Sequence, residues 1–160
     1  MSNKNIKSKK GFTIIEVVLV LAIAGLIFLM VFIALPQLQR AQRDTQRRND
    51  MARLATAITQ FQTNNGGKIP NEIASAQSDF VTKYLKDEFT DPDGEDYIIS
   101  WGDAVTGTIP TDPALHTVYV FNKAMCEGEK MVPSTNKNTR DYAILYKLEG
   151  SGTYCQDNNQ

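Results

Sequence analysis

KSKKGFTIIEVVLVLAIAGLIFLMVFIALP, Lys7 to Pro36, couples a lysine-rich lead to a long apolar run that contains a single acid, Glu16. From Phe12 to Leu35 there is no Lys or Arg. About 24 residues at a helical rise of 1.5 Å reach roughly 36 Å, enough to cross the hydrocarbon of a bilayer. A cleaved secretory signal would have a shorter apolar centre followed by small residues, whereas here the hydrophobicity persists to Pro36. A carboxylate in hydrocarbon costs several kcal/mol unless it lies at an interface, is protonated or meets a cation, so Glu16 asks for a partner.

Working outward, the charge divides the 160-residue chain into parts. Residues 1–11 carry Lys4, Lys7, Lys9 and Lys10 and no acid. Residues 36–65 set Arg40, Arg43, Arg47, Arg48 and Arg53 against Asp44 and Asp50, about +3, while residues 66–160 come to about −7. The net charge of −1 conceals this division. Asp44 stands three or four residues from Arg40, Arg47 and Arg48, so helical pairing can neutralise part of the cluster. The remaining arginines read first as a solvated helix face and second as a contact with acidic heads of other copies. Nucleic acid is not expected as a direct ligand, because acids interrupt the basic patch and no aromatic platform accompanies it.

Beyond Pro36, the positions of Met51, Leu54, Ala55, Ile58 and Phe61 give one apolar stripe with helical spacing. Asn64-Asn65-Gly66-Gly67 ends that helix, and Pro70 discourages its resumption. A short helix is expected over Ser78 to Glu88, with Phe80, Val81, Tyr84 and Leu85 on one side. Tyr97–Trp101, Thr117–Phe121 and Tyr142–Tyr146 are β-branched and aromatic runs separated by turn residues. They predict a small antiparallel sheet covered by the upper part of the long helix, an α+β head.

The order of four lysines, Gly11, Phe12-Thr13-Ile14-Ile15 and Glu16, followed by the apolar helix, resembles the leader and cleavage site of type IV pilins and pseudopilins. Gly25 and Ala34-Leu35-Pro36 extend the resemblance, although the proline lies about three residues later than in the commonest pilin pattern, close to one helical turn. The resemblance implies a pilin fold, cleavage by prepilin peptidase between Gly11 and Phe12, and N-methylation of Phe12. It also implies that Glu16 pairs with a Phe12 amine during assembly, commonly that of a neighbouring copy, and that Gly25 and Pro36 are helix-kink positions. Pro36 removes one helical hydrogen bond and would bend or loosen Phe32 to Leu35.

The organisation expected on these grounds is a cytoplasmic leader at 1–11, a membrane-spanning and filament-core helix at 12–35, its amphipathic continuation at 36–65, and an exported head at 66–160. The implied partners are other copies in a helical filament, prepilin peptidase, the membrane before assembly, and an assembly platform with its ATPase. The implied locations are the cytoplasmic membrane and then the extracellular pilus. A structural subunit for adhesion, twitching motility or DNA uptake is the leading reading. Its alternatives are a pseudopilin of a secretion or competence system and a monomeric membrane-anchored binding domain.

Cys126 and Cys155 both follow the apolar span. In an exported head an even pair is most simply a disulfide, closing a loop of about 30 residues, and pilins often have such a bracketed terminal region. Asp91-Pro92-Asp93-Gly94-Glu95-Asp96-Tyr97 resembles a segment of major pseudopilins in which loop oxygens can bind calcium, which makes Asp91, Asp93 and Asp96 the candidate ligands. The residues themselves read more simply as a Pro-Gly turn with solvated carboxylates, without the ligand spacing of an EF-hand. No cofactor is expected. His116 is the sole histidine, and no nucleophile or phosphate loop surrounds it, so the chain reads as the substrate of an enzyme and not as an enzyme.

Processing at Gly11 is expected to leave Phe12 as an N-methylated terminus and to shift the net charge from −1 to about −5 as four lysines leave. Intact-mass and terminal-peptide measurements on membrane or surface material check this. Residues 1–11 still attached would refute it.

Overall fold

The computed structural model describes residues 11–73, 76–85, 89–135, 140–150 and 152–159. The leader lysines at 4, 7, 9 and 10, and Glu88 at the end of the expected short helix, lie outside the described residues. The chain divides into two units, residues 1–39 and 40–160, and helix α1 (Ile14–Asn64) supplies residues to both.

The first unit is helical from Ile14 onward, and Gly25 and Pro36 lie inside α1 without interrupting it. Phe32 to Leu35 keep α-helical geometry. Here α1 is apolar all round and its large apolar side chains are exposed, from Ile14 to Leu38. A helix hydrophobic on every side needs either lipid or other helices around it.

In the second unit α1 has a single apolar stripe. Met51, Leu54, Ile58 and Phe61 are buried as their spacing requires, with Ala57 beside them, while Ala55 is only half-buried. The helix stops at the glycines: the Gly67 amide donates to the Gln62 carbonyl, and Gly66 and Gly67 have φ of 67° and 87°. That left-handed backbone suits residues without Cβ. A 3₁₀ turn at Pro70–Glu72 follows.

The expected helix after residue 76 is present in shortened form. Helix α2 (Ala76–Phe80) passes into a wider π turn at Val81–Leu85. Phe80 and Leu85 are buried and Tyr84 packs against the core, but Val81 faces solvent, because the wider turn breaks the 3.6-residue spacing assumed for it. Phe61, Phe80, Tyr84 and Trp101 form an aromatic cluster with ring centroids 5.3–6.0 Å apart.

Among the described residues six strands follow: β1 (Ile98–Asp103), β2 (Thr117–Asn122), β3 (Ala124–Glu127), β4 (Lys130–Pro133), β5 (Tyr142–Lys147) and β6 (Thr153–Asp157). The main sheet has the order β1-β2-β5-β6, and β3-β4 is a separate hairpin. β2, β5 and β6 are antiparallel, as expected of this α+β layout. β1 departs from the expectation by pairing parallel to β2. Its reason is connectivity: the 104–116 segment is long enough to return the chain to the starting end of the sheet, which a tight hairpin cannot do.

Side chains alternate between two faces. Val118, Val120, Tyr142, Ile144 and Tyr146 meet the α1 stripe, while Phe121, Ala143, Leu145 and Cys155 meet Ala124 and Met131 of the hairpin. β5 is therefore covered on both faces, and five of its six residues are buried. The Cys126–Cys155 disulfide joins the hairpin to β6, with 5.8 Å between the Cα atoms. Two polar ties flank it: the Cys126 amide donates to Asp157 Oδ2 at 2.7 Å, and the Thr153 hydroxyl donates to the Glu129 carbonyl at 2.6 Å.

Closing this loop removes denatured-state entropy equivalent to about 3–4 kcal/mol. Replacing both cysteines by serine should speed amide exchange in 124–133 and 153–157, while the α1 amides of 47–61 keep their protection at mild temperature. Hydrogen-exchange mass spectrometry makes the comparison, and uniform loss of protection across the head would contradict this layered account.

Candidate functional site

The N-terminal segment holds the residues expected to govern processing and assembly. Gly11 and Phe12 precede α1, and Phe12 is 91% exposed. Glu16 lies in the first helical turn, where a carboxylate complements the helix dipole. The Thr13 amide and the Thr13 hydroxyl both donate to Glu16 Oε2, each at 2.8 Å. This is the acid half of a capping box, and the signal was in the sequence as Thr13-Ile14-Ile15-Glu16, a T-x-x-E pattern. The sequence reading paired Glu16 with a Phe12 amine and did not use the nearby Thr13 donors. Among the described residues α1 alone is long and apolar enough to cross a membrane, and its apolar window has no buried residue. This N-terminal helix is suited to membrane anchoring.

The second concentration of charge is in the head. Arg47 is 1% exposed and holds Asp91 in a two-pronged contact, Nε to Oδ2 at 2.8 Å and Nη2 to Oδ1 at 2.6 Å. Its Nη1 donates to Asp44 and to Glu149, both at 3.1 Å. The Tyr146 hydroxyl donates to Asp91 Oδ2 at 2.6 Å. Asp44 also accepts the backbone amides of Glu149 and Gly150 at 2.9 and 2.8 Å. A Cβ on Gly150 would stand 2.8 Å from that Asp44 oxygen, so the approach depends on glycine. Arg43 makes a second two-pronged contact, with Glu149 at 2.7 and 2.6 Å.

These contacts overturn the reading of Arg43 and Arg47 as a solvated face or a contact between copies: both are turned onto acids of their own head. Arg53 pairs with Asp50 at 3.2 Å, and the Arg48 guanidinium lies over the Tyr154 ring at 5.7 Å. Arg40 remains 58% exposed at the side chain and is 3.8 Å from Glu149. The net charge of −1 had hidden a pairing across 44 and 102 residues.

Burial alone would raise the Asp91 carboxyl, but the Arg47 guanidinium and the Tyr146 hydroxyl outweigh it and hold it down at about 2. The Arg43 and Arg47 guanidinium groups hold Glu149 at about 2 as well. Asp50 moves the other way, pushed up by burial that Tyr97 and Arg53 only partly offset. Burial likewise raises the Tyr97 hydroxyl, as do the neighbouring carboxylates Asp91 and Asp50.

Of the suggested calcium ligands, the structure brings Asp91 and Asp93 together with His116, ligand atoms within 4.8 Å of one another, and does not include Asp96. Asp96 is bridged to Thr90 instead. Both Asp91 oxygens are occupied by Arg47, and Arg47 Nη2 is 3.5 Å from Asp93 Oδ2, where it opposes a second cation. Asp93 Oδ2 is 2.7 Å from His116 Nε2. The segment is a turn: the Gly94 amide donates to the Asp91 carbonyl, and Gly94 has φ of 100°.

Residues 6–32 match the family model described as the prokaryotic N-terminal methylation motif. The match is to a prepilin-type motif and is consistent with a type IV pilin-like protein. No curated protein and no solved structure matches the chain.

Because the folded state depresses the Asp91 and Glu149 carboxyls to about 2, their contribution is complete above the unfolded values near about 4 and is lost as pH falls from there toward 2. Asp50 partly offsets this with the opposite sign. Urea unfolding followed by circular dichroism at pH 7, 4, 3 and 2 should show stability falling through the last three. Glu149→Gln should flatten that fall, and an unchanged slope would refute the assignment.

Proposed function

We propose, from the prepilin-type motif at residues 6–32 and the apolar helix surface that follows it, that this chain is a structural subunit of a type IV pilus. Prepilin peptidase cuts between Gly11 and Phe12, Phe12 is N-methylated, and the processed chain waits in the cytoplasmic membrane. An assembly platform driven by its ATPase then gathers the apolar helices of many copies into a helical filament outside the cell, available for adhesion, twitching motility or DNA uptake. On this reading 12–35 is the filament-core helix, 36–65 its continuation and 66–160 the exported head.

One observation carries the reading: every large apolar side chain of α1 from Ile14 to Leu38 is exposed in a single copy. A bilayer covers that surface before assembly and neighbouring helices cover it afterwards. Gly25 and Pro36 supply weak points at which the helix can bend as it packs.

Glu16 is the assembly residue. Its carboxylate meets the Phe12 amine of a neighbouring copy in surroundings of low dielectric, where a paired charge is tolerated and an unpaired one is costly. The arrangement favours one register between copies. The chain acts as a substrate for processing and not as an enzyme. Direct nucleic-acid binding gains no support from the helix arginines, since Arg43 and Arg47 are committed to head carboxylates.

The methylation motif is shared by pseudopilins, so a short secretion or competence fibre is the second reading, and long surface fibres separate the two. A monomeric membrane-anchored binding domain would need neither processing nor assembly.

Glu16→Gln keeps the size but removes the charge, and Glu16→Val removes the desolvation cost too. Both variants should insert with the normal orientation and yield few or no sheared fibres at matched expression. Protease accessibility of the head reports orientation and electron microscopy counts fibres. Abundant fibres from Glu16→Val would refute the assembly role.

A further inference from the structure

Five arginines follow the apolar run between residues 36 and 65. Four of them have a place in the head: Arg43 and Arg47 donate to its carboxylates, Arg53 pairs with Asp50, and Arg48 lies over the Tyr154 ring. Arg40 is different. Its side chain is 58% exposed, its Nε stands 3.8 Å from Glu149, and among the described residues it donates no hydrogen bond. Glu149 has little left to offer it: Oε1 accepts Arg43 Nη2 at 2.6 Å, and Oε2 accepts Arg43 Nε at 2.7 Å and Arg47 Nη1 at 3.1 Å. The N–H donors of the Arg40 guanidinium are thus left to solvent or to a partner outside the chain.

Position along the chain names that partner. Leu38, where the exposed apolar side chains of the run end, is two residues earlier, and its neighbours Gln37 and Gln39 are exposed and uncharged. Between Glu16 and Asp44 there is no acid, and the only bases are Arg40 and Arg43. Arg40 follows Leu35 by five residues. At a helical rise of 1.5 Å that is about 7 Å, and the headgroup layer on either side of a bilayer core is roughly 5–7 Å deep. Side chains on a helix lean toward its N-terminus, which brings the guanidinium back toward that layer. An arginine at the end of a span extends its charge to the interface, and its planar fork matches two oxygens of a phosphate.

We infer that Arg40 binds the phosphate of a membrane phospholipid on the head side of the bilayer while the chain waits to be assembled. The inference rests on the membrane stage of the proposed function and names its lipid contact. It gives a use to a base that otherwise works against export, since Lys and Arg flanking a span favour the cytoplasmic side, and a phosphate partner offsets that preference. A phosphate held at this level also fixes how deep the helix stands in the bilayer. A carboxylate of a second copy is the competing partner. It would be met only among assembled chains, whereas the lipid contact is present in a single inserted one.

The test uses the full chain, isotope-labelled at arginine Cζ and inserted into vesicles of phosphatidylcholine, with and without phosphatidylglycerol, in buffer free of phosphate. Carbon–phosphorus recoupling by solid-state NMR should find a guanidinium carbon in contact with lipid phosphorus in both membranes, because both headgroups carry the phosphate. Arg40→Gln should lose that signal with the near-ultraviolet circular dichroism of the head unchanged, as replacing an exposed side chain leaves the core intact. Arg48→Gln, which removes the guanidinium over Tyr154, should keep the signal. The contact is overturned if inserted wild-type protein gives no signal, if the signal survives Arg40→Gln, or if it appears only when inorganic phosphate is added. It is overturned equally if Arg40 is found against a neighbour's carboxylate in fibres while the vesicles show no phosphorus contact. A chain that alkaline carbonate strips from the vesicles takes down the membrane stage itself, whereas a chain that stays inserted without the signal takes down the lipid contact alone.

Discussion

A guanidinium withdrawn from water must be met by carboxylates at close range, and in this head the group is Arg47. Besides Asp44 on its own helix, three segments distant in sequence converge on it: the 91–93 turn through Asp91, the β5–β6 turn through Glu149, and β5 through Tyr146, whose hydroxyl donates to Asp91. Taking one acid away would leave a buried positive charge undercompensated, and taking Arg47 away would strand the acids, which is why breaking one side of such a pair costs about 3–5 kcal/mol. The network also specifies register. Sliding α1 by one residue would turn Arg47 through roughly 100° and out of reach of Asp91, so the ionic contact selects the alignment that the apolar stripe merely permits.

Helix α1 is written for two surroundings. From Ile14 to Leu38 its side chains are apolar on every face and uncovered. From Arg40 onward it has one buried face, made of Asp44, Arg47, Met51, Leu54, Ile58 and Phe61 at steps of three and four residues. An all-apolar surface dissolves in lipid or among helices, whereas a single stripe commits the helix to one sheet. The change of surroundings coincides with the first arginine, Arg40. The excess of bases in residues 36–65 and of acids in 66–160 then has a structural meaning: much of the helix charge is consumed inside the head and is not left for solvent.

What could be read from the sequence was local and periodic. The apolar run, the Met51 to Phe61 stripe, the glycine stop and the centres of β1, β2 and β5 all follow from spacing that a single segment displays. The parallel pairing of β1 does not, because pairing direction belongs to the connection and not to the strand. β6, Thr-Tyr-Cys-Gln-Asp, shows little apolar alternation since one side of its cover comes through a disulfide. The β3–β4 hairpin is only four residues per strand and ends in Pro133, which marks it as an edge piece. Arg47 was misread because arginine is rarely buried, and nothing within one turn of it announces a partner in Asp91. The Thr13–Glu16 box was legible but unused.

That box bears on how one carboxylate can serve two stages of the proposed assembly. An ionised carboxylate accepts about four hydrogen bonds. Thr13 takes Oε2 with two donors, and neither of its bonds goes to Oε1. Before assembly, an acid already supplied with two donors is less costly to keep near hydrocarbon than a bare one. During assembly, the arriving amine needs only the remaining oxygen, so it need not first dismantle the cap. Local satisfaction and recognition between copies therefore do not compete for the same lone pairs. The short side chain of Thr13, placed three residues ahead, gives Glu16 two local donors where the surrounding apolar run offers none.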